Sequence, residues 1–206
     1  MSTLTLAASW IERAMPKEIT VLHEGSSYIY IHNDLQTAAF YLKEKIEEKI
    51  QNGDRSGIGY DKMACLAMLA FSVEANINFF GHKLISGWRE RASFETKFSA
   101  VLARLNIVHD DTQRPFKSLK ALKEFRDLIA HGKPKEIQFN ETLVMSPEEA
   151  DRANDLSADW EAYCSDENVM FSYEDVEIVW KMMLKTSGLK LYDTLTRGDR
   201  SIKIVP

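Results

Sequence analysis

The chain lacks a surplus of positive charge. Its 206 residues carry 26 lysines and arginines against 31 aspartates and glutamates, which gives a net charge of −5 at pH 7. Proteins that bind along the phosphate backbone of nucleic acids usually have a basic surplus. Any contact with RNA or DNA therefore has to be local, transient, or made by a basic patch that the total charge hides.

Cysteine is scarce, and long apolar runs are missing. The only two cysteines are Cys65 and Cys164, and Cys65 lies in an apolar stretch that is typical of a buried thiol. No apolar run reaches the roughly 18 residues that a membrane span needs. The first residues lack the basic start and apolar segment of a signal peptide. We therefore expect a cytoplasmic protein without membrane contact.

The sequence also lacks the common signatures of metal and nucleophile chemistry. The five histidines, at positions 23, 32, 82, 109 and 131, show no paired spacing typical of metal ligands. The glycine-rich segment 54–60 lacks the Lys-Ser/Thr ending of a phosphate-binding loop. No Gly-x-Ser-x-Gly nucleophile turn is present. These absences argue against a metalloenzyme or a serine hydrolase, and we predict no metal and no cofactor.

Helical periodicity, in contrast, is abundant. Hydrophobic residues make up 45% of the chain and charged residues 28%, which is a globular composition. Apolar residues recur every three to four positions in several segments, and alternate in two others. These patterns predict helices over 34–51, 60–85, 93–106, 115–132, 147–163 and 173–196, a β-hairpin over 18–32, and a strand over 135–145 that joins the hairpin.

These elements predict a mainly α protein. The expected fold is a bundle of four to five helices with a small hairpin or short sheet near the N-terminus and additional C-terminal helices. We predict a single domain, 1–206, with a hairpin extension at 1–33 and a helical core at 34–133. Residues 134–206 would then supply the strand and the helices that pack on this core.

The segment FRDLIAHGKP, 125–134, places unusual residues at the end of a helix. Gly132 is a candidate C-terminal cap, and Pro134 prevents continuation. On a helical wheel Arg126 falls within the apolar face, where an unpaired charge is costly. Asp127 and His131 lie on the other side, four residues apart, so that Asp127 is expected to fix the His131 tautomer.

The long helix over 60–85 offers a partner for this arginine. Glu74 and Asn78 fall on one apolar face, one turn apart, with Ser72 and Asn76 on the opposite side. We predict that Glu74 neutralises Arg126 across the bundle. A purely structural interpretation is open at this point: a buried ion pair that specifies packing, with His131 as a partner of the helix dipole.

The motif Arg126-Asp-Leu-Ile-Ala-His131 resembles the Arg-(x)4–6-His motif of the HEPN superfamily of small helical domains. The segment SVEANIN, 72–78, on the preceding long helix is also similar to this family. The resemblance covers roughly 34–133 and leaves the first hairpin and the helices after 147 unexplained. One position departs from some antitoxin-controlled members, which carry a tyrosine two residues after the histidine, where this chain has Lys133.

The resemblance implies a metal-independent endoribonuclease, a toxin or defence effector of the toxin–antitoxin kind, that acts as a homodimer on RNA. An antitoxin or another partner protein would then control it. Arg126 and His131 would be catalytic, and Asp127, Glu74 and Asn78 would support them. Helix geometry separates Arg126 and His131 by about 140° and ~7.5 Å, so one chain cannot easily aim both at one phosphate unless the last turn unwinds.

The alternative implied by the same resemblance is a relative without catalytic activity. Such a module would dimerise and bind a nucleotide or a partner protein, with Arg126 holding a phosphate or only Glu74. One observation separates the two readings. Arg126 side chains that face an open cleft favour the enzyme, and Arg126 side chains capped by Glu74 favour the binding module.

Overall fold

The computed structural model describes residues 18–134, 136, 138, 140–152 and 158–205. These residues group into two compact units. The smaller unit contains residues 18–29 and 196–205, and the larger unit contains residues 30–195. Among the described residues the protein is mainly helical, with one two-stranded antiparallel sheet, as the sequence predicts.

The larger unit is built from helices of very different lengths. Two long helices, α1 (Ile31–Gln51) and α2 (Ile58–Leu84), lie in the first half of the unit, and one long helix, α6 (Asp166–Ser187), lies in its second half. Two short 3-10 helices, Asp159–Tyr163 and Leu191–Thr194, flank α6. The helices are α1 (Ile31–Gln51), α2 (Ile58–Leu84), α3 (Phe94–Arg104), α4 (Phe116–Ala130), α5 (Pro147–Arg152) and α6 (Asp166–Ser187).

Helix α2 lies at the centre of the unit and packs against α1, α3, α4 and α6. It is apolar on nearly every side, which is the pattern of a helix surrounded by others. Its largest buried side chains include Leu69, Ile77 and Phe80, and Phe125 of α4 is equally buried. Ser72 and Asn76, on the side opposite Glu74, are buried as well, because neighbouring helices cover that side too.

Polar caps and glycines set several helix ends. The Ser93 hydroxyl accepts a hydrogen bond from the Thr96 main chain at the start of α3, and Ser165 caps α6 in the same way. Helix α6 ends at Gly188, whose φ of 72° is a left-handed conformation that favours glycine. The predicted glycine cap of α4 is wrong, since His131 occupies the cap position and Gly132 has no left-handed backbone.

Among the described residues, α2 alone is long and apolar enough to cross a membrane by length and composition. Of its most apolar 18-residue window, 61% is buried inside the protein. The core helix of a globular protein passes the same test, and α2 has that position in this bundle.

The smaller unit is a two-stranded antiparallel ribbon. Strand β1 (Val21–Tyr28) pairs with β2 (Arg197–Ile204), so that Val21 lies opposite Ile204 and Tyr28 opposite Arg197. Gly25 has no room for a side chain, because a Cβ atom would collide with the main-chain oxygen of Asp199. Within the ribbon, the Arg197 guanidinium lies over the Tyr28 ring at 5.3 Å from its centroid.

The ribbon corrects the predicted strand pairing. No hairpin forms within 18–32, since residues 21–28 are one continuous strand and residues from Ile31 onward are helical. The strand expected over 135–145 falls partly outside the described residues, at 135, 137 and 139, and residues 140–145 are not in a strand. The partner strand comes instead from 197–204.

Two predicted C-terminal helices also differ from the structure. Helix α5 ends at Arg152, residues 153–157 lie outside the described residues, and 158 is not helical, so 147–163 is not one continuous helix. The helix predicted over 173–196 starts earlier, at Asp166, and ends at Ser187. Ser165 as a cap explains the earlier start, and Gly188 explains the earlier end.

Candidate functional site at the end of helix α4

Arg126 and Glu74 form an ion pair between α4 and α2, as the sequence predicts. The Arg126 Nη1 atom donates a hydrogen bond to Glu74 Oε2. The side chain of Arg126 is 17% exposed and that of Glu74 is 30% exposed. The guanidinium therefore lies at the edge of the bundle, half covered by α2, and keeps some access to solvent.

Glu74 has a second partner that the sequence did not reveal. Lys97 of α3 is buried, and its Nζ donates to the other Glu74 oxygen, Oε1, at 2.6 Å. Burial by itself would raise the pKa of Glu74, but the hydrogen bonds and charges of Lys97 and Arg126 outweigh it and lower the pKa below its usual value. Glu74 is thus an anion that joins three helices.

Asp127 also binds Arg126, which differs from the predicted role. Its Oδ1 accepts hydrogen bonds from Arg126 Nε at 3.1 Å and Nη2 at 2.8 Å, and Lys123 Nζ lies 3.0 Å from Oδ2. Burial opposes ionisation, but these donors hold the pKa of Asp127 below its usual value. Among the described residues no hydrogen bond joins Asp127 to the His131 ring, because both carboxylate oxygens face Arg126 and Lys123.

The guanidinium is oriented without being saturated. It has five N–H donors in a planar fork. Within the described part of the chain, Glu74 and Asp127 accept three of them, one from each nitrogen. Two N–H groups, one on Nη1 and one on Nη2, are left for another acceptor.

His131 lies at the exposed C-terminal cap of α4. Its main-chain N–H still donates to the Asp127 carbonyl at 3.0 Å, which is the helical pattern. The last helical hydrogen bond therefore reaches His131, but the backbone of His131 itself, with φ of −114° and ψ of 21°, is no longer helical. The two predicted catalytic groups share a helix end, and ideal helix geometry would separate them by about 140°.

Asn78 is not brought to this cluster. Its Oδ1 atom is buried, and no hydrogen-bond partner for it lies among the described residues. No hydrogen bond joins it to Arg126 in the same set of residues, whereas Glu74, one turn earlier, reaches Arg126 directly. No contact among the described residues thus supports the predicted role of Asn78.

The helix that carries the motif is basic, although the chain is acidic. Between 112 and 134 there are six lysines and arginines and only two acidic residues, a local net charge of +4 in a chain of −5. Lys117 and Lys120 are exposed on α4. By helix geometry they lie about 40° and 20° around the axis from His131. This is the kind of local basic patch that the total charge hides.

Two lysines were missed by sequence reasoning. Lys97 was assigned no role, and lysines usually lie exposed. Its burial follows from Glu74, which points from α2 toward α3 as well as α4. A signal was present: Lys97 lies three residues after Phe94 and four before Val101, so it falls on the apolar side of this helix. Lys123 could have been found from its i,i+4 spacing to Asp127.

Comparison with known proteins identified no relative of this chain. No protein-family model, no curated protein and no solved structure matches this chain. Among the described residues, no group of three histidine, cysteine, aspartate or glutamate side chains is placed to hold a metal ion. The HEPN resemblance stays a prediction that rests on the motif and its position at the end of α4.

Proposed function

We propose that this protein is a metal-independent endoribonuclease, with Arg126 and His131 as its catalytic groups, acting as a cytoplasmic homodimer. Glu74 caps Arg126 in the single chain, which by the criterion given above favours the second candidate described below. The proposal therefore rests on the donors that this capping leaves and on the exposed His131 at the same helix end. Two carboxylates hold the Arg126 guanidinium in one orientation at the edge of the bundle, and two N–H donors are left for a phosphate. A toxin or defence role under the control of an antitoxin would follow from the family resemblance.

The chemistry uses the nucleophile that RNA carries. The 2′-oxygen attacks the adjacent phosphorus, a new O–P bond forms, and the bond to the 5′-oxygen breaks. His131 either takes the 2′-OH proton while water protonates the leaving 5′-oxygen, or gives a proton to the 5′-oxygen while water accepts the 2′-OH proton. Arg126 binds the negative charge that grows on the phosphate oxygens. The products are a 2′,3′-cyclic phosphate and a 5′-hydroxyl.

The geometry of α4 supports a site shared between two chains. Helical hydrogen bonds continue to the nitrogen of His131, and on an ideal helix the arginine and histidine of one chain would lie about 140° apart. Two helix ends related by a twofold axis can supply Arg126 from one chain and His131 from the other. Asp127 and Glu74 are positioning residues in this arrangement, because both act through Arg126.

The test is cleavage of an end-labelled single-stranded RNA in EDTA. We expect the wild-type protein to leave 2′,3′-cyclic phosphate ends, and His131→Ala or Arg126→Ala to lower the cleavage rate at least 100-fold. DNA of the same sequence lacks the 2′-OH and should stay intact.

His82→Ala is the matched control, because His82 is also an exposed histidine in the last turn of a helix. It should cleave at the wild-type rate. Cleavage that survives His131→Ala, or that His82→Ala abolishes equally, contradicts the proposed role of His131. A wild-type protein that leaves a broad panel of RNAs intact contradicts the enzyme and favours the second candidate.

The second candidate is a dimerising module that binds a nucleotide or a partner protein without cleaving RNA. The same ion pairs favour it: in the single chain Arg126 is already bound by Glu74 and Asp127, so its charge is compensated before any ligand arrives. In that case Glu74→Gln would strengthen binding of a phosphate-bearing ligand without producing any cleavage.

A further inference from the structure

A groove separate from Arg126 runs between α4 and α6. Its cavity has a volume of about 380 Å³, within the range of about 300–1,000 Å³ typical of small-ligand pockets. Leu122 and Phe125, both buried, form its floor. Arg114, Lys117, Asn168 and Phe171 are among the residues that line it.

One wall of the groove is a flat, rigid stack. The Arg114 guanidinium carbon lies 3.9 Å from the centroid of the Phe171 ring. The buried Asp175 holds this guanidinium in place by accepting from Arg114 Nε at 2.7 Å and Nη2 at 3.0 Å. Phe171 itself is 37% exposed. Fixed aromatic faces of this kind are where nucleobases stack in single-strand binding proteins.

The charge around the groove continues toward His131. Lys117 lines the groove, and Lys120 lies one turn further along α4. Both side chains are exposed, and ideal helix geometry puts them ~21 Å and ~16 Å along the axis from His131 on nearly the same side. A chain of phosphates that follows these lysines leads from the groove toward the exposed histidine and passes Glu124, an exposed acid about 20° from His131 on the same side of α4.

We propose that the α4–α6 groove binds a nucleobase of single-stranded RNA a few nucleotides away from the scissile phosphate. The base stacks over the apolar floor on the face of Phe171 that Arg114 does not cover. The Asn168 Oδ1 atom accepts from the edge of the base, while Asn168 Nδ2 donates to the Tyr163 carbonyl at 3.3 Å. Lys117 and Lys120 bind the phosphates that connect this base to His131. The identity of the ligand as RNA rests on the proposed function, whereas the groove and its lysines do not.

The test measures binding in a His131→Ala background, so that the RNA stays intact. A fluorescein-labelled single-stranded RNA of mixed sequence is titrated in EDTA, and its fluorescence anisotropy gives Kd. Phe171→Leu keeps the apolar volume and removes the ring face, and it should raise Kd about tenfold. Lys117→Gln should raise Kd several-fold and reduce the slope of log Kd against log salt by about 0.7.

Two variants of similar exposure serve as controls: Phe71→Leu on α2 and Lys185→Gln near the end of α6. Both should leave Kd unchanged. RNA binding that Phe171→Leu and Lys117→Gln do not weaken overturns the groove proposal and leaves the ribonuclease standing. Absence of RNA binding, or binding of an apolar peptide instead, overturns it as well.

The cleavage assay separates this outcome from the function itself. Wild-type protein that binds RNA through Phe171 and Lys117 but does not cleave it contradicts the ribonuclease and keeps the groove. If the Phe171→Leu variant cleaves RNA with the same KM as the wild-type protein, the groove is contradicted and the ribonuclease stands.

Discussion

His32 is a titratable side chain enclosed by aromatic rings. Its side chain is 1% exposed, and its ring lies 4.7 Å from Phe79 and 5.0 Å from Trp180 between ring centroids. Burial lowers the pKa of His32 to about 4, although Asp34 and a main-chain hydrogen bond at Thr194 oppose this shift. The imidazole is therefore neutral in the folded protein at physiological pH.

This burial gives a pH dependence of stability with a definite sign. Between pH 6.5 and about 4 the unfolded chain protonates His32 and the folded chain does not, so acid favours unfolding. We expect the free energy of unfolding to fall by about 3 kcal/mol as the pH drops through this window. Urea denaturation at pH 7, 5.5 and 4 measures it.

His32→Leu is the matched variant, since leucine keeps an apolar side chain in the same aromatic surroundings. Its free energy of unfolding should vary less than that of the wild type between pH 7 and 4. Equal slopes for the two proteins would mean that His32 is not the group responsible.

At the residue scale, the sequence predicted the contact between Glu74 and Arg126 correctly, because a buried charge requires a partner of opposite charge. An arginine on an apolar face requires an anion, and Glu74 lies on an apolar face of the helix that packs against it. The predicted contact of Asp127 with His131 was wrong. Lys123 and His131 are each four residues from Asp127, so i,i+4 spacing alone could not decide between them. Lys123 carries a full positive charge, and it forms the ion pair with Asp127.

At the scale of elements, the buried Asp175 joins α6 to the start of α4. It accepts hydrogen bonds from the Arg114 guanidinium and from the Ser118 hydroxyl, the latter at 2.5 Å. Its side chain is 2% exposed. Because the carboxylate is desolvated and paired, its removal leaves the Ser118 hydroxyl without its acceptor and leaves Arg114 with the exposed Glu174 alone.

We therefore expect Asp175→Ala to lower the free energy of unfolding by about 3 kcal/mol. Glu174→Ala is the control, because Glu174 is an exposed partner of the same arginine, and it should cost less than about 0.5 kcal/mol. Chemical denaturation of the two variants beside the wild type gives both values. Similar losses in both would show that the charge of Arg114 matters more than the buried position of its acceptor.

Elements were predictable where the signal was local. Helices α1 to α4 follow from apolar periodicity over 11 to 27 residues, and their ends differ from prediction by only a few positions. Strand β2 was missed because the sequence RGDRSIKI has too many polar residues to alternate clearly. Its pairing with β1 is a long-range contact that no local window contains.

At the scale of the whole molecule, the proposed site requires two chains. This requirement can be tested without knowing how the chains associate. Arg126→Ala and His131→Ala chains are each expected to be inactive alone. In a mixed dimer, however, one of the two shared sites combines the intact Arg126 of one chain with the intact His131 of the other.

We expect coexpression of the two variants in equal amounts to restore about one quarter of the wild-type cleavage rate, because half of the dimers are mixed and each has one intact site. Rates are compared per chain on the same labelled RNA. A site formed within one chain predicts no restoration, as does a site that needs both arginines and both histidines. The double variant mixed with wild type controls for simple dilution.

The ribbon has a consequence for how the protein is made. Strand β1 leaves the ribosome early, but its partner β2 follows only after about 170 further residues have been synthesised. The helical bundle can assemble during translation, since domains fold as their chain emerges. Until β2 is synthesised, strand β1 keeps unpaired backbone groups along its edge, and other nascent chains can pair wrongly with this edge. Closing the ribbon is thus a late event in biogenesis, and slowing or interrupting translation before residue 197 prolongs the period in which the strand is unprotected.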